Sequence, residues 1–248
     1  MHRFFIYADS IRGNTVDIDE EQARHIEGVL RLKSGDFIKA FDGTGHEYTL
    51  RLEGRKKGRL TARIEQFSMR DDEPLLKLFL AQSIAKGNKM DTIIQKATEL
   101  GISAVYPFIS ERTVVRLNIE KAVAKQKRWQ TIAREACKQC NRNVVPEIKP
   151  VIDFSQLLAE IGNRPAIMLY ENEEQVSLKH LLRGKKEKFR TNQMFLLVGP
   201  EGGFAPWEVE AAAKANVFIV KMGPRILRTE TAGIAASSII MYEYGDLG

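Results

Sequence analysis

The chain opens with short runs in which apolar and polar positions alternate: Arg3 to Tyr7, Thr15 to Ile18, Asp36 to Phe41, Glu47 to Leu52 and Arg59 to Phe67. Alternation turns one side of each run toward a core and the other toward water, so these segments read as β-strands. Asp42-Gly43-Thr44-Gly45 and Gly54-Arg55-Lys56-Lys57-Gly58 supply tight turns between the last three. One helix interrupts them: Asp19 is a candidate N-cap for Glu20 to Leu30, which would set Ala23, Ile26, Val29 and Leu30 on one face. The polar stretch Ser68 to Pro74 then breaks the periodicity as a linker does. A small β domain over residues 1–70 is expected, followed by a second domain over 75–248.

Beyond Pro74 the period changes. The runs Leu76 to Ala81, Ala104 to Ile109, Ala166 to Tyr170, Met194 to Val198 and Val217 to Val220 read as buried strands. Between and after them lie helical patterns. They cover Asn88 (capped with Asp91) to Leu100, Glu120 to Asn141, a stretch after Asp153, Gln175 to Leu182, a stretch after Pro206, and Thr231 to Tyr244. Strands alternating with helices predict an α/β domain with a parallel sheet.

Composition narrows the classes. With 44% hydrophobic and 28% charged residues the chain is globular, and no apolar run approaches the roughly 18 residues of a spanning helix. The stretch Phe4 to Ala8 is too short for a signal-peptide core, so a cytoplasmic protein is expected, neither membrane-bound nor secreted. Cys137 and Cys140 are the only cysteines; they exclude a disulfide framework and a four-thiolate zinc site. They share the apolar face of the long helix with Trp129, Ile132, Ala133 and Ala136, and the four histidines show no ligand spacing, so no metal is expected. The net charge of +6 is regional: residues 77–142 carry 13 basic and 5 acidic side chains, whereas 143–248 carry 12 and 13. Concentrated positive charge suits a polyanion. Much of it forms a stripe on the long helix opposite the cysteines: Lys121, Lys125, Lys127, Arg128, Arg134, Lys138 and Arg142. The stripe reads as an RNA contact or as a solvated helix face.

Two loops carry candidate chemistry. Leu197-Val198-Gly199-Pro200-Glu201-Gly202-Gly203-Phe204 lies between a strand and a helix that Pro206 can start. Its glycines let the backbone turn sharply and approach a ligand at the carboxyl end of a strand. No Gly-Lys-Ser/Thr follows and the Gly-x-Gly-x-x-Gly spacing is absent, so it is neither a Walker loop nor a dinucleotide fingerprint. The second loop, Met222-Gly223-Pro224-Arg225-Ile226-Leu227-Arg228-Thr229-Glu230-Thr231-Ala232, sets two guanidinium groups, a carboxylate and two hydroxyls beside a helix N-terminus, with one threonine as its N-cap. Both loops are expected to face one pocket.

This pair of loops resembles the signature of the RsmE family, ribosomal RNA small-subunit uridine N3-methyltransferases of the SPOUT, or α/β-knot, class. The resemblance extends to Lys86-Gly87-Asn88-Lys89-Met90-Asp91, to Gln95-Lys96-Ala97-Thr98-Glu99-Leu100-Gly101 and to Ser110-Glu111-Arg112-Thr113-Val114-Val115. It also takes in His2-Arg3-Phe4-Phe5 and His25 with Leu30-Arg31, and so spans essentially the whole chain. The sequence departs from the family pattern at Cys137, Cys140 and Met222.

The resemblance implies an α/β fold made of a PUA-like β-barrel and a SPOUT domain with a deep C-terminal trefoil knot. It implies S-adenosylmethionine as cofactor, a homodimer, and 16S ribosomal RNA, free or in the assembled small subunit, as substrate. Carried over by motif, the cofactor-binding residues are Leu169, Tyr170 and Glu171, then Val198, Gly199, Pro200, Glu201, Gly202 and Gly203. The second loop adds Met222, Gly223, Arg225, Ile226, Leu227, Arg228, Thr231 and Ala232. Basic residues in or beside the similar blocks, Arg3, Arg31, Lys33, Lys86, Lys89 and Arg112, join Arg128, Arg134, Lys138 and Arg142 as candidate RNA contacts.

Uridine N3 is a protonated imide nitrogen, so methylating it requires in-line placement and stabilisation of a uracil anion. Arg225 or Arg228 is the candidate for that charge, Glu230 for orienting an arginine or accepting the proton, and Glu201 for offsetting the cofactor's positive sulfur. A non-catalytic RNA-binding or ribosome-assembly factor is the competing class, and a nicotinamide dehydrogenase is disfavoured by the missing fingerprint.

Overall fold

The structure of the chain, a computed structural model, describes residues 1–56, 58–69, 73–184 and 192–248. Its contacts divide it into two compact units, Met1–Glu73 with Cys137–Val145, and Pro74–Ala136 with Pro146–Gly248. The expected linker over 68–74 includes residues 70–72, and the turn at 54–58 includes Lys57; these lie outside the described residues.

In the first unit the strands are β1 (Arg3–Phe5), β2 (Ile11–Arg12), β3 (Thr15–Ile18), β4 (Phe37–Phe41), β5 (His46–Lys56) and β6 (Arg59–Met69). They form a sheet in the order β1-β4-β5-β6-β3-β2, in which, among the described residues, only β1 and β4 pair in parallel. The alternation places Phe4, Val16, Ile18, Ile38, Leu50 and Leu60 in one buried cluster. Helix α1 (Glu20–Arg24) starts at Asp19, whose side chain accepts the Gln22 N–H at 2.9 Å. It runs on as π-helical turns over His25–Val29, and this corrects one expectation. The wider turn shifts the phase of the helix face, so Ala23 and Ile26 are buried but Val29 is 69% exposed.

The second unit holds β7 (Lys77–Ser83), α2 (Lys89–Glu99), β8 (Ala104–Ile109), β9 (Glu147–Ile148), β10 (Ile152–Asp153), α4 (Phe154–Ile161) and β11 (Ala166–Leu169). It continues with α5 (Leu178–Gly184), β12 (Gln193–Val198), α6 (Pro206–Lys214), β13 (Phe218–Val220) and α7 (Thr229–Tyr244). Helix α3 spans Ile119–Cys140. All described strand pairs here are parallel, in the order β10-β8-β7-β12-β11-β13 with β9 beside β8. Strands covered on both faces are apolar at nearly every position: Met194 to Val198 are at most 2% exposed. Asp153 and Gln156 form a capping box that starts α4. At α2 the expected capping differs: the Asn88 side chain makes no cap hydrogen bond, and Asp91 pairs with Arg128 instead.

Candidate active site

The strand order sets the site. Strand β11 lies between β12 and β13, all three parallel, so their carboxyl ends open on one edge of the sheet, close to where the winding reverses between β7 and β12. Ligands of open α/β sheets bind in such a crevice. Leu169 to Glu171, the first glycine loop and the second loop all line one cavity of about 390 Å³ there, within the roughly 300–1,000 Å³ of small-molecule sites. The two loops thus face one pocket. Of the residues carried over as cofactor contacts, Gly202 and Thr231 do not line it. Gly202 is packed on Arg112, whose Nη1 donates to its carbonyl at 3.0 Å, and Thr231 is exposed on α7. Lys89, Phe204, Lys221, Pro224 and Thr229 line the cavity in addition.

Two glycines are needed for different reasons. Gly203 has φ +70°, which disfavours any side chain, and a Cβ there would also displace the Glu171 carboxylate packed against it. Gly223, at φ +75°, has nothing within 4 Å of a Cβ; only its backbone angle asks for glycine. Thr229 joins the loops. Its Oγ1 donates to the Gly199 carbonyl at 2.6 Å and accepts from Gln82 Nε2 at 2.9 Å. Neither threonine of the second loop is the N-cap: Arg228 holds that position without a side-chain cap bond, because the Thr229 hydroxyl is committed to Gly199. Gln82 escaped the sequence reading, although a polar residue closing the otherwise apolar run Leu78 to Ala81 is a signal of a buried hydrogen-bond role.

Lys89 and Glu201 of the cavity wall form a three-charge cluster with Glu230. Lys89 Nζ lies 2.9 Å from Glu201 Oε1 and 3.4 Å from Glu230 Oε2, and Glu201 Oε1 also accepts the Lys86 N–H at 3.1 Å. Burial disfavours the ionised Glu201, but the bonds from Lys89 and from backbone N–H groups outweigh it and hold the carboxyl below its usual range. Hydrogen bonding to Glu201 raises the Lys89 ammonium, against a smaller loss from burial. Glu230 therefore faces a lysine, and the expectation that it orients an arginine does not match its contact. Arg225 and Arg228 stand exposed on the second loop with no ion-pair partner among the described residues. Apolar walls come from Leu169, Val198, Phe204, Met222 and Leu227.

The candidate RNA contacts divide. Arg31, Lys33, Lys86, Arg112 and Arg128 are exposed, Arg134 and Lys138 partly so. Arg3 and Arg142 are folded into the first unit: Arg3 donates to the carbonyls of Cys137 (2.5 Å) and Arg142 (2.8 Å), and Arg142 Nε to Glu73 at 3.0 Å, with side chains 7% and 10% exposed. Lys89 belongs to the cavity wall. Among the described residues no group of three or more His, Cys, Asp or Glu could hold a metal, and no helix is long and apolar enough to cross a membrane.

Residues 71–241 match a family model described as an RNA methyltransferase domain, and residues 18–65 one described as an RNA methyltransferase PUA domain. The chain is 33% identical over 248 residues to the ribosomal RNA small subunit methyltransferase E of Bacillus subtilis, covering 98% of this chain and 97% of that one. A ribosomal RNA small subunit methyltransferase E from Neisseria gonorrhoeae, solved bound to S-adenosyl methionine, superposes with a TM-score of 0.89 at 36% identity over 100% of both chains. A Legionella pneumophila chain solved with the bound cofactor SAM gives 0.88 at 31% identity, over 99% and 98% of the two chains.

Proposed function

This chain belongs to the ribosomal RNA small subunit methyltransferase E family, and on that premise we propose that its cavity holds S-adenosylmethionine and that it methylates N3 of a uridine in 16S ribosomal RNA. The fold is accordingly of the SPOUT, or α/β-knot, class with a PUA-like domain before it. The observation that carries the proposal is the closure of three strand-end segments on one cavity.

The residues present fit the cofactor. Apolar walls with backbone from Gly199, Gly203, Gly223 and Leu227 suit a nucleoside, and the side-chain-free face of Gly203 leaves the Glu171 carboxylate a place against the loop. The carboxylates of Glu171 and Glu201 suit a cationic sulfur and an ammonium group. When bound, the cofactor supplies a methyl group already activated by sulfonium. What the chain adds is placement and charge. Arg225 and Arg228, exposed beside the cavity, hold negative charge as it develops on a uracil carbonyl, a role worth about 10²–10³ in rate for one donor. A paired or stacked target base has to be turned out to reach this wall.

The functional assembly in this reading is a cytoplasmic homodimer acting on free ribosomal RNA or the assembled small subunit. Helix α7 supports the dimer, since it leaves Ile239 and Tyr242 43% and 66% exposed, and light scattering on the purified protein tests it. The N-terminal unit would hold RNA. Two experiments test the activity: calorimetric titration with S-adenosylmethionine, expected to show one site per chain, and mass spectrometry of 16S RNA from cells with and without the protein. Loss of one methylated uridine is expected in its absence. If the cofactor does not bind, the chain is a non-catalytic RNA-binding or assembly factor; if no methylated uridine disappears, the substrate assignment fails.

A further inference from the structure

Lys89 lies in the Lys86–Asp91 block, where a basic residue suggests a phosphate contact. Its position is different. It is the first residue of α2, its side chain is only 30% exposed, and it lines the cavity. Two carboxylates from two other elements hold its ammonium, Glu201 from the first glycine loop and Glu230 from α7. Among the described residues Glu230 Oε2 is buried without a hydrogen bond and forms one ion pair, with Lys89 Nζ at 3.4 Å, and Glu230 does not line the cavity. An ammonium has three donors. One is given to Glu201 Oε1 at 2.9 Å, while Glu230 holds the charge without a hydrogen bond, which leaves donors for the cavity that Lys89 lines.

Resting on the function proposed above, we infer that Lys89 is a further catalytic residue, whose ammonium donates to one carbonyl oxygen of the target uracil as negative charge develops there, and that Glu230 is the positioning residue that aims it. In the step the N3–H bond breaks, and the pair left on nitrogen forms the N3–CH₃ bond. The S–CH₃ pair stays on sulfur, and the proton leaves to water. Uracil has two carbonyl oxygens flanking N3, so a lysine on one and an arginine of the second loop on the other are compatible. The ammonium is suited to the role because its two carboxylate partners keep it protonated through the working range. The other charged groups lining the cavity are Glu171, Lys221, Arg225 and Arg228.

The test compares wild-type, Lys89→Met, Lys89→Arg and Glu230→Gln proteins, with folding checked by thermal denaturation and S-adenosylhomocysteine affinity measured by calorimetry in each. In Lys89→Met kcat is expected to fall about 100-fold, with KM for RNA and S-adenosylhomocysteine affinity within threefold. Lys89→Arg restores part of the rate. The pH at which the rate levels off moves upward in Lys89→Met and, less, in Glu230→Gln, because uracil must then ionise with less help. A merely structural lysine would not move that profile. A Lys89→Met protein with raised KM for RNA and unchanged kcat would make the residue a phosphate contact and overturn the inference, as would lost cofactor affinity or an unmoved pH profile. Should Lys89→Met not fold, Lys89→Arg and Glu230→Gln decide by the same pH criterion. Absence of methylation by the wild-type protein would instead sink the underlying function.

Discussion

In the N-terminal unit Arg3 and Arg142 are almost wholly buried and bonded to carbonyls and to the Glu73 carboxylate, whereas in the C-terminal unit Arg225 and Arg228 stand exposed on the cavity's second loop without an ion-pair partner among the described residues. The same side chain thus serves two ends. A buried guanidinium is tolerable only with its partners in place, so the first pair belongs to the fold and must be measured by stability. An exposed, unpartnered one adds little to folding and remains available to a ligand, so the second pair must be measured by rate.

The largest expected effect is on the first pair. Glu73→Ala removes a carboxylate partner of the buried Arg142 and should lower unfolding free energy by about 3–5 kcal/mol in urea titration, while S-adenosylmethionine affinity of the folded fraction stays unchanged. A loss under 1 kcal/mol would put Arg142 with the exposed arginines. Arg228→Ala should show the reverse: a methylation rate lower by about 10²–10³ with the denaturation midpoint unmoved. Normal cofactor binding with full rate in that variant would remove Arg228 from the chemistry.

Gly203→Ala tests the cavity at its loop backbone and at the Glu171 carboxylate packed on it. The free loop relaxes from φ +70° in this variant, so binding has to restore that angle at about 1–3 kcal/mol, or roughly 10–100-fold in S-adenosylmethionine affinity, read by calorimetry. Smallest is a thiol measurement. Burial above all, only partly countered by Arg142 and Arg3, pushes the Cys137 thiol up to about 12. Because the thiolate is the disfavoured form, alkylation of Cys137 in the folded protein should be slow at pH 8 and quicken only as the pH climbs toward that value. Rapid labelling at pH 8 would show that this part of the N-terminal unit opens readily.

Local pattern determined much of this protein. Period-two runs became strands, period-3.6 runs became helices, Asp19 and Asp153 became caps, and two glycine-bearing loops between strand and helix marked the cavity, because each of these depends on neighbours a few residues away. Tertiary structure decided the rest. Nothing in the sequence near Val29 announces the π-turns that send it outward, and no spacing argument puts β12 between β7 and β11 so that three strand ends share one edge. One threonine of the second loop is expected from sequence as a cap, yet Thr229 instead holds Gly199, a residue 30 positions away. Lys89 and Arg142 looked like one more lysine and arginine of a basic region, yet one is enclosed by Glu201 and Glu230 and the other by Glu73. Charge and hydroxyl chemistry can be read from a residue's type, but its partner is chosen by chain segments far apart in sequence, and it is the partner that settles whether the group serves the fold or the reaction.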